Sequence, residues 1–309
     1  MAKATASHIM MIRPKHFGFN PLTADNAFQD STQKDTDPTE KQKLALAEFE
    51  EMVRILQAEG VHVRVMEDSE EPQKPDAIFP NNWVSFHEDG RVFLYPMYAP
   101  NRRYERRPDL VESLKSTFQI ESIKDLSAYE AQEKYLESTG SMIFDRANQI
   151  VYACYSKRTD ETLLDLIGKE LGYKVLKFKA VDENGKDIYH TNVLMNVGEA
   201  YAVICLDAIP DIEERHEVID ALEETDKEII AITFEQMNNF AGNMLELENQ
   251  NGDKLLVMSE RAFHSLDEEQ ITQIENYAKI VCIPLETIEN NGGGSARCMI
   301  AEIFNPLLG

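Results

Sequence analysis

The chain has 309 residues and a formal net charge of −24 at pH 7, because 55 Asp and Glu outnumber 31 Lys and Arg. Nucleic-acid binding depends on clustered basic side chains, so this charge argues against it. No apolar run approaches the roughly 20 residues of a membrane span, which argues against a membrane protein.

The N-terminal region combines a predicted leader with the first regular elements. Residues 1–10 are predicted to be a vector-derived leader, with the natural start at Met10 or Met11. A short strand is expected over 11–14. A helix is expected over about 39–59, where the capping pattern that begins at Asp37 opens it and Gly60 closes it. The alternating residues 61–65 predict a second strand.

Hairpin patterns then recur through the rest of the chain. The first has an Asp89-Gly90 turn, and similar patterns follow at 142–152, 193–203 and 244–257. Helical patterns lie between the hairpins, at about 108–117, 160–171, 212–224 and 266–277, and a strand pattern follows at 280–284. A strand pair, a helix and a further strand thus repeat about every 50 residues, which predicts a propeller-like or pseudo-symmetric α/β fold. An ordinary α/β sandwich remains the alternative.

A glycine-rich stretch near the C-terminus leads into a cysteine. Gly292, Gly293 and Gly294 allow close backbone approach to a ligand, and Cys298 follows them. Such a cysteine can serve as a thiolate nucleophile. The plain alternative is a turn before a buried strand. The four cysteines are scattered without metal-type spacing, which is typical of a reduced, cytoplasmic protein.

Few other residues have surroundings that suggest chemistry. His190 stands at the entrance to a hairpin strand with Asn192 two positions later, and Glu137 precedes a loop of small residues. Arginines are clustered at 102–107 and again at Arg158, although the chain is acidic, and arginine suits bidentate recognition of a carboxylate. Each feature also has a structural interpretation, as a satisfied histidine, a solvated acid or a basic turn.

Taken in order, these residues resemble the guanidine-modifying superfamily, which includes arginine deiminase, dimethylarginine dimethylaminohydrolase and the amidinotransferases. The resemblance runs from Arg13-Pro14 to the C-terminus. It rests on seven motifs in order, which are Phe79 to Trp83, Pro96 to Glu105, Leu136-Glu137, Ser156 to Thr159, His190 to Asn192, Gly242 to Leu245 and Gly292 to Cys298. It implies a single α/β domain over 11–309, a five-bladed pseudo-symmetric α/β-propeller (pentein) of ββαβ units.

The resemblance also implies roles for individual residues. Cys298 is expected to be the nucleophile, His190 the acid/base and Glu137 the group that orients substrate nitrogens near the histidine. Arg102, or its neighbour Arg103, and Arg158 are expected to hold the substrate's α-carboxylate.

Departures from the arginine-using members then suggest the substrate. Asn82 and Asn192 stand where those members have aspartates, and Ser138-Thr139-Gly140 lacks a third acid. A guanidinium has only donors and needs carboxylates around it, whereas a neutral ureido group can pair with amides. The pattern favours citrulline, and the motifs most resemble those of citrulline-utilising hydrolases.

The sequence therefore predicts a cysteine hydrolase that cleaves the ureido C–N bond of citrulline through an S-carbamoyl intermediate on Cys298. Ornithine, carbon dioxide and ammonia would be the products. No metal or organic cofactor is expected, the expected partner is a small amino-acid substrate, and a homo-oligomer is left open. The alternatives are a deiminase or dimethylaminohydrolase acting on arginine or methylarginine, and a non-catalytic propeller that binds a ligand.

Overall fold

The computed structural model describes residues 3–23, 26, 28–29, 32 and 37–309. Within these residues the strands are β1 (His8–Arg13), β2 (His62–Glu67), β3 (Val84–Phe86), β4 (Arg91–Leu94), β5 (Ser122–Asp125), β6 (Ile143–Asp145), β7 (Ile150–Cys154), β8 (Lys174–Phe178), β9 (Met195–Val197), β10 (Tyr201–Ile204), β11 (Glu228–Ala231), β12 (Leu245–Glu248), β13 (Lys254–Ser259), β14 (Lys279–Ile283) and β15 (Ala301–Ile303). The α-helices are α1 (Pro38–Ala58), α2 (Pro108–Leu114), α3 (Ser138–Ser141), α4 (Glu161–Leu171), α5 (Ile212–Glu223), α6 (Phe234–Asn238), α7 (Glu260–Ser265), α8 (Glu268–Glu275) and α9 (Glu286–Gly292).

The strands of the described part form five three-stranded sheets of the same design. In four of them a hairpin pairs the first two strands antiparallel, and a helical crossover brings the third strand parallel to the second. These sheets are β3-β4-β5, β6-β7-β8, β9-β10-β11 and β12-β13-β14. The four predicted hairpins are thus confirmed, and the sheets fit a pseudo-symmetric, propeller-like arrangement rather than one sandwich.

The fifth sheet joins the two ends of the described chain. β1 pairs antiparallel with β15 and parallel with β2, which gives the same order with a chain break in place of the hairpin turn. Ile9 and Met10 of β1 are fully buried. The folded unit therefore begins before residue 11, which corrects the predicted domain start, because part of the segment 1–10 supplies a central strand. Residues 1 and 2 of that segment lie outside the described residues.

Local sequence signals explain the helix boundaries. The Asp160 side chain accepts hydrogen bonds from the first turn of α4, and Gly172 ends the helix with φ of +75°. Asp37 caps α1 in the same way. The helix expected over 266–277 is α8, which starts at Glu268 because Asp267 and Gln270 form a capping box there. The short helix α7 ends at Ser265, before the expected range.

The short first strands of the sheets bring the sheets together. β15 contacts β3, β6 contacts β9, and β9 contacts β12. The turns that precede these first strands therefore lie in one common region.

Candidate active site

Five turns, each directly before the first strand of a sheet, supply polar side chains to one buried place. Asn82 precedes β3, Glu137 precedes β6 through the short helix α3, and Asn192 precedes β9. Asn243 precedes β12, and Cys298 lies in a 3-10 turn (Ala296–Met299) before β15. Because the sheets share one design, equivalent positions in each contribute to the same site. The strand β15 begins only at Ala301, so Cys298 lies on the turn and not in the buried strand.

Two amides contact the sulfur of Cys298. The Nδ2 atoms of Asn192 and Asn243 lie 3.4 and 3.3 Å from Sγ. Asn243 also donates to the backbone oxygen of Asn192, at 2.9 Å, which holds the two side chains together. The two amides hold the sulfur in one position beside the cavity, and the thiolate form of a cysteine is its nucleophilic form.

Glu137 and His190 form the second part of the site. His190 Nε2 lies 2.8 Å from Glu137 Oε2, and both residues are buried. Glu137 Oε1 accepts the backbone N–H of Tyr98 at 3.0 Å. A carboxylate only accepts, so Nε2 carries the hydrogen and Nδ1 of the neutral ring is left as a proton acceptor.

Burial and neighbouring charges shift both pKa values in the same direction. Burial lowers the pKa of His190 to about 4, although Glu137 opposes this shift. Burial raises the pKa of Glu137, but Arg158, His190 and Arg102 lower it by more, so the pKa of this carboxyl falls to about 2. At neutral pH the pair is therefore a carboxylate and a neutral imidazole.

The lowered pKa of His190 predicts a pH-dependent stability. Between the unfolded value of about 6.5 and the folded value of about 4, the unfolded chain binds more protons, so this stabilisation is complete above pH 6.5 and is lost as pH falls. We expect the stability advantage of wild type over His190→Gln to shrink by about 2 kcal/mol between about pH 7.5 and about pH 5. Urea unfolding of both proteins at the two pH values measures it. An unchanged difference would mean that His190 titrates alike in both states.

Arg102 lines the cavity and lies among acids. Its Nε and Nη2 donate to the two carboxylate oxygens of Glu105, both at 2.9 Å, and Nη2 also donates to Asn82 Oδ1 at 3.0 Å. Asp76 and Glu137 lie 3.4 and 3.8 Å from the same guanidinium. Arg102 is therefore extensively paired before any substrate binds.

Arg158 has a different position from Arg103. Arg158 lines the cavity, lies 3.8 Å from Glu137 Oε2 and faces the ring of Tyr189 at 4.8 Å. Arg103 donates to the backbone oxygen of Met97 and pairs with Glu130, and it is partly exposed away from the cavity lining. The structure therefore brings Arg158 to the site but does not support the substrate-binding role expected of Arg103.

Gly140 allows the two halves of the site to meet. A Cβ at this position would lie 2.9 Å from the Cε1 and Nδ1 atoms of His190 and closer still to Asn82 Nδ2. Gly140→Ala is expected to lower kcat/KM by about 10²-fold, because a displacement of about 1 Å in a catalytic group costs that much. Gly18→Ala is the control, since its Cβ would meet nothing within 4 Å. Equal activity of both variants would show that the crowding is relieved at no cost.

Two site residues were missed in the sequence. Asn243 was within a matching motif but had no assigned role. Asp76 is 3% exposed, lines the cavity and receives a 2.6 Å hydrogen bond on Oδ2 from Asn20, while its Oδ1 has no hydrogen-bond partner among the described residues. The only signal for Asp76 was its place three residues before Phe79, at the start of a matching motif.

These side chains enclose a small cavity. Its volume is about 20 Å³, which is space for about one water molecule. Thr23, Asn26 and the three glycines complete the wall, and Tyr189 Oη and Asn26 Nδ2 fix the loop by donating to Gly293 O at 3.0 and 3.2 Å.

Among the described residues, no group of three or more His, Cys, Asp or Glu side chains is placed to hold a metal ion. In the same part of the chain, no helix is long and apolar enough to cross a membrane.

Comparison with solved structures places the fold. The chain is 19% identical to ArgZ, an arginine dihydrolase from the ornithine-ammonia cycle in cyanobacteria, with a TM-score of 0.76 over 97% of this chain. It spans only 41% of full-length ArgZ but 99% of the separate N-terminal domain, which has been solved as a cysteine-to-serine variant with substrate bound (19% identity, TM-score 0.75, 97% of this chain). Dimethylarginine dimethylaminohydrolase is 15% identical, with a TM-score of 0.65 over 96% of this chain and all of that one.

Comparison of sequences gives the family. No protein of curated function matches the chain. The family model described as N,N dimethylarginine dimethylhydrolase, eukaryotic, matches residues 13–305, which is nearly the whole chain. The chain therefore belongs to the N,N-dimethylarginine dimethylhydrolase family of the guanidine-modifying (pentein) superfamily.

Proposed function

We propose that this protein is a cysteine hydrolase that acts on the guanidino group of arginine or a methylated arginine. The observation that carries this proposal is Asp76. Citrulline was predicted from the sequence because Asn82 and Asn192 replace acids of the arginine-using members. Asp76 is an acid that this prediction did not include. It lines the cavity with one carboxylate oxygen unpartnered among the described residues.

Charge pairing supports the same conclusion. Glu105 already binds Arg102 through both oxygens, and Glu137 faces Arg158 and His190. Asp76 is left as the acid whose free oxygen can meet a cation. Burial raises its pKa, although Arg102 and Asn20 oppose the shift, and a bound guanidinium would lower that pKa again. A donor-only cation of this kind satisfies an orphaned carboxylate oxygen.

The proposed mechanism uses Cys298 and His190 in two steps. Nδ1 of His190 takes the thiol proton, the thiolate attacks the guanidino carbon, and the departing nitrogen leaves with that proton as its C–N bond breaks. An S-linked amidine (thiouronium) remains on Cys298. A water molecule that gives its proton to His190 then attacks the same carbon and expels the sulfur, which leaves a ureido group on the product. Glu137 holds the imidazole in the required tautomer.

Citrulline is the second candidate, because both asparagines have unused groups. Asn82 Nδ2 and Asn192 Oδ1 have no hydrogen-bond partner among the described residues. The first can donate to a ureido oxygen and the second can accept from a ureido nitrogen. The broken bond would then be the one to the ornithine nitrogen, and an S-carbamoyl group would remain on Cys298.

We infer that the five sheets close into a five-bladed propeller, which forms one catalytic domain with the site at its centre. The convergence of five equivalent turns supports this inference. Arg158 is the better candidate to hold the α-carboxylate, since Arg102 is already bonded by Glu105 on two nitrogens.

Substrate assays with an Asp76 variant test the proposal. Purified protein is incubated with arginine, monomethylarginine, dimethylarginine and citrulline, and citrulline, ornithine, ammonia and methylamines are quantified. We expect turnover of a guanidino substrate, and a loss of about 10- to 100-fold in kcat/KM for it in Asp76→Asn, since a charged hydrogen bond contributes about 1.5–3 kcal/mol.

The control is Asp109→Asn, whose carboxylate is exposed and paired with Arg107. It should retain wild-type kinetics. Turnover of citrulline alone, unchanged by Asp76→Asn, would overturn the guanidino proposal in favour of the second candidate.

A further inference from the structure

A second pocket lies at the opposite ends of the strands that position the active site. His87 directly follows β3, Arg146 follows β6, and Phe304 follows β15. Residues of the active site precede the same three strands. Each strand has three residues, or about 10 Å, so the two sites are separated by about the length of these strands. The second pocket has a volume of about 290 Å³, and we call it the Arg146 pocket.

Arg146 is the unusual residue of this pocket. It is 5% exposed, and the other buried arginines of the described chain (Arg102, Arg158 and Arg297) each have a carboxylate within 4 Å. Arg146 has none among the described residues. A buried charge without an opposite charge is costly, and this protein has a large excess of acids from which a partner could have come.

The neighbours of Arg146 solvate its guanidinium without neutralising it. Its Cζ lies 3.9 Å from the ring centroid of Phe304 and 4.8 Å from that of Phe144, which are cation–π contacts. Nη1 lies 3.5 Å from Nδ1 of His87. Burial, with Arg146 beside it, lowers the pKa of His87 well below its usual value, so this ring is neutral and accepts from Arg146. Ser85 Oγ, 2.7 Å from His87 Nε2, fixes the ring.

Two of the acids near the pocket are paired with other cations. Asp89 binds the side chain of Arg91, and Asp145 lies 3.0 Å from Lys227 Nζ. Glu88 also lines the pocket, on its exposed rim, and Lys3 adds a positive charge to the lining. The apolar lining comes from Leu171, Phe304 and the ring of Tyr173.

We propose that the Arg146 pocket is a second binding site, separate from the active site, for a small organic anion that carries a carboxylate on an apolar or aromatic body. The planar fork of the guanidinium matches a carboxylate in geometry, and its aromatic neighbours hold it in one orientation. The pocket volume equals about ten water molecules at about 30 Å³ each, which is enough for such a molecule. The carboxylate of the ligand supplies the negative charge that no described side chain places within 4 Å of Arg146.

Binding of benzoate tests the proposal by calorimetry. We expect wild type to bind benzoate with Kd on the order of 1 mM or lower, and Arg146→Gln to lose at least about 10-fold in affinity while its kcat/KM stays within about twofold of wild type. Retained active-site kinetics locate the lost binding to the Arg146 pocket. Benzamide, a neutral analogue, should not bind wild type, and this comparison needs no variant. Tighter binding of phenyl phosphate than benzoate would overturn the carboxylate assignment, and equal binding of benzoate by both proteins would overturn the site.

Thermal stability without ligand provides an independent test. Arg146→Met removes an unneutralised buried charge and keeps the volume, so its Tm should equal or exceed that of wild type. A fall of more than about 5 °C would identify Arg146 as a structural residue and contradict the proposal. Arg297→Met is the matched comparison and should lower Tm, because it leaves Glu302 without its 2.7 Å partner.

Discussion

Replacing Cys298 by alanine is expected to lower kcat on the guanidino substrate by about 10⁴-fold or more, because no other described group at the cavity can form the covalent intermediate. Of the four cysteines, Cys298 alone lines the described active-site cavity, and two asparagine amides contact its sulfur. Steady-state assays and a thermal melt, which checks that the variant is folded, measure the effect.

Cys282→Ala is the control for this loss. Cys282 is partly buried in β14, and burial raises the pKa of its thiol, which makes it a poor nucleophile. Its removal should leave kcat unchanged within about twofold. If Cys298→Ala retained more than a small fraction of wild-type turnover, a mechanism that does not use covalent catalysis would be required.

Replacing Glu137 by glutamine should damage both activity and stability. The carboxylate is fully buried, bonds His190 and Tyr98, and faces the guanidinium groups of Arg102 and Arg158 at 3.8 Å. Removal of a charged member from a buried ionic cluster costs about 3–5 kcal/mol, because two guanidinium groups lose a nearby negative charge and His190 loses its carboxylate partner. We also expect kcat to fall by about 10²- to 10⁴-fold, since His190 loses the group that sets its tautomer.

Glu248→Gln is the matched control for the stability effect. Glu248 pairs with Lys254 at 2.9 Å where both side chains are about a quarter exposed, so its loss should cost about 1 kcal/mol or less. Urea unfolding of both variants gives the comparison. Equal stability of Glu137→Gln and wild type would mean that the charge of Glu137 does not offset those of the two arginines.

The sequence predicted the repeating unit because its signals are local. Each hairpin, capping residue and glycine turn lies within about ten residues, so four of the five sheets follow from neighbouring elements. The fifth sheet pairs β1 with β15 from opposite ends of the chain, and no local pattern encodes that pairing. For the same reason the sequence did not indicate that residues before Met11 belong to the fold.

Rare residue types and distinctive neighbours allowed some of the candidate site residues to be predicted. Cys298 and His190 are among four cysteines and seven histidines, and the small-residue loop after Glu137 set it apart from the other acids. Asp76 is one of 55 acids with no distinctive neighbour, and its role depends on a cavity formed by distant segments. Arg102 was predicted to bind the substrate carboxylate because it belongs to an arginine cluster in an acidic chain. In the fold, Asp76, Glu105 and Glu137 lie within 4 Å of its guanidinium.

Trapping a covalent intermediate on Cys298 tests most directly whether its sulfur is the nucleophile. Wild-type protein is mixed with arginine or methylarginine, either labelled in the guanidino carbon or labelled in the side-chain carbons, quenched with acid during turnover and analysed by peptide mass spectrometry. Both labels should be retained on the peptide that contains Cys298, because the S-linked amidine still carries the whole amino acid. Retention of the guanidino carbon alone would indicate loss of ornithine before the second step and would contradict the proposed order of bond cleavage. Turnover of the substrate with neither label on Cys298 would contradict the central claim that its sulfur is the nucleophile.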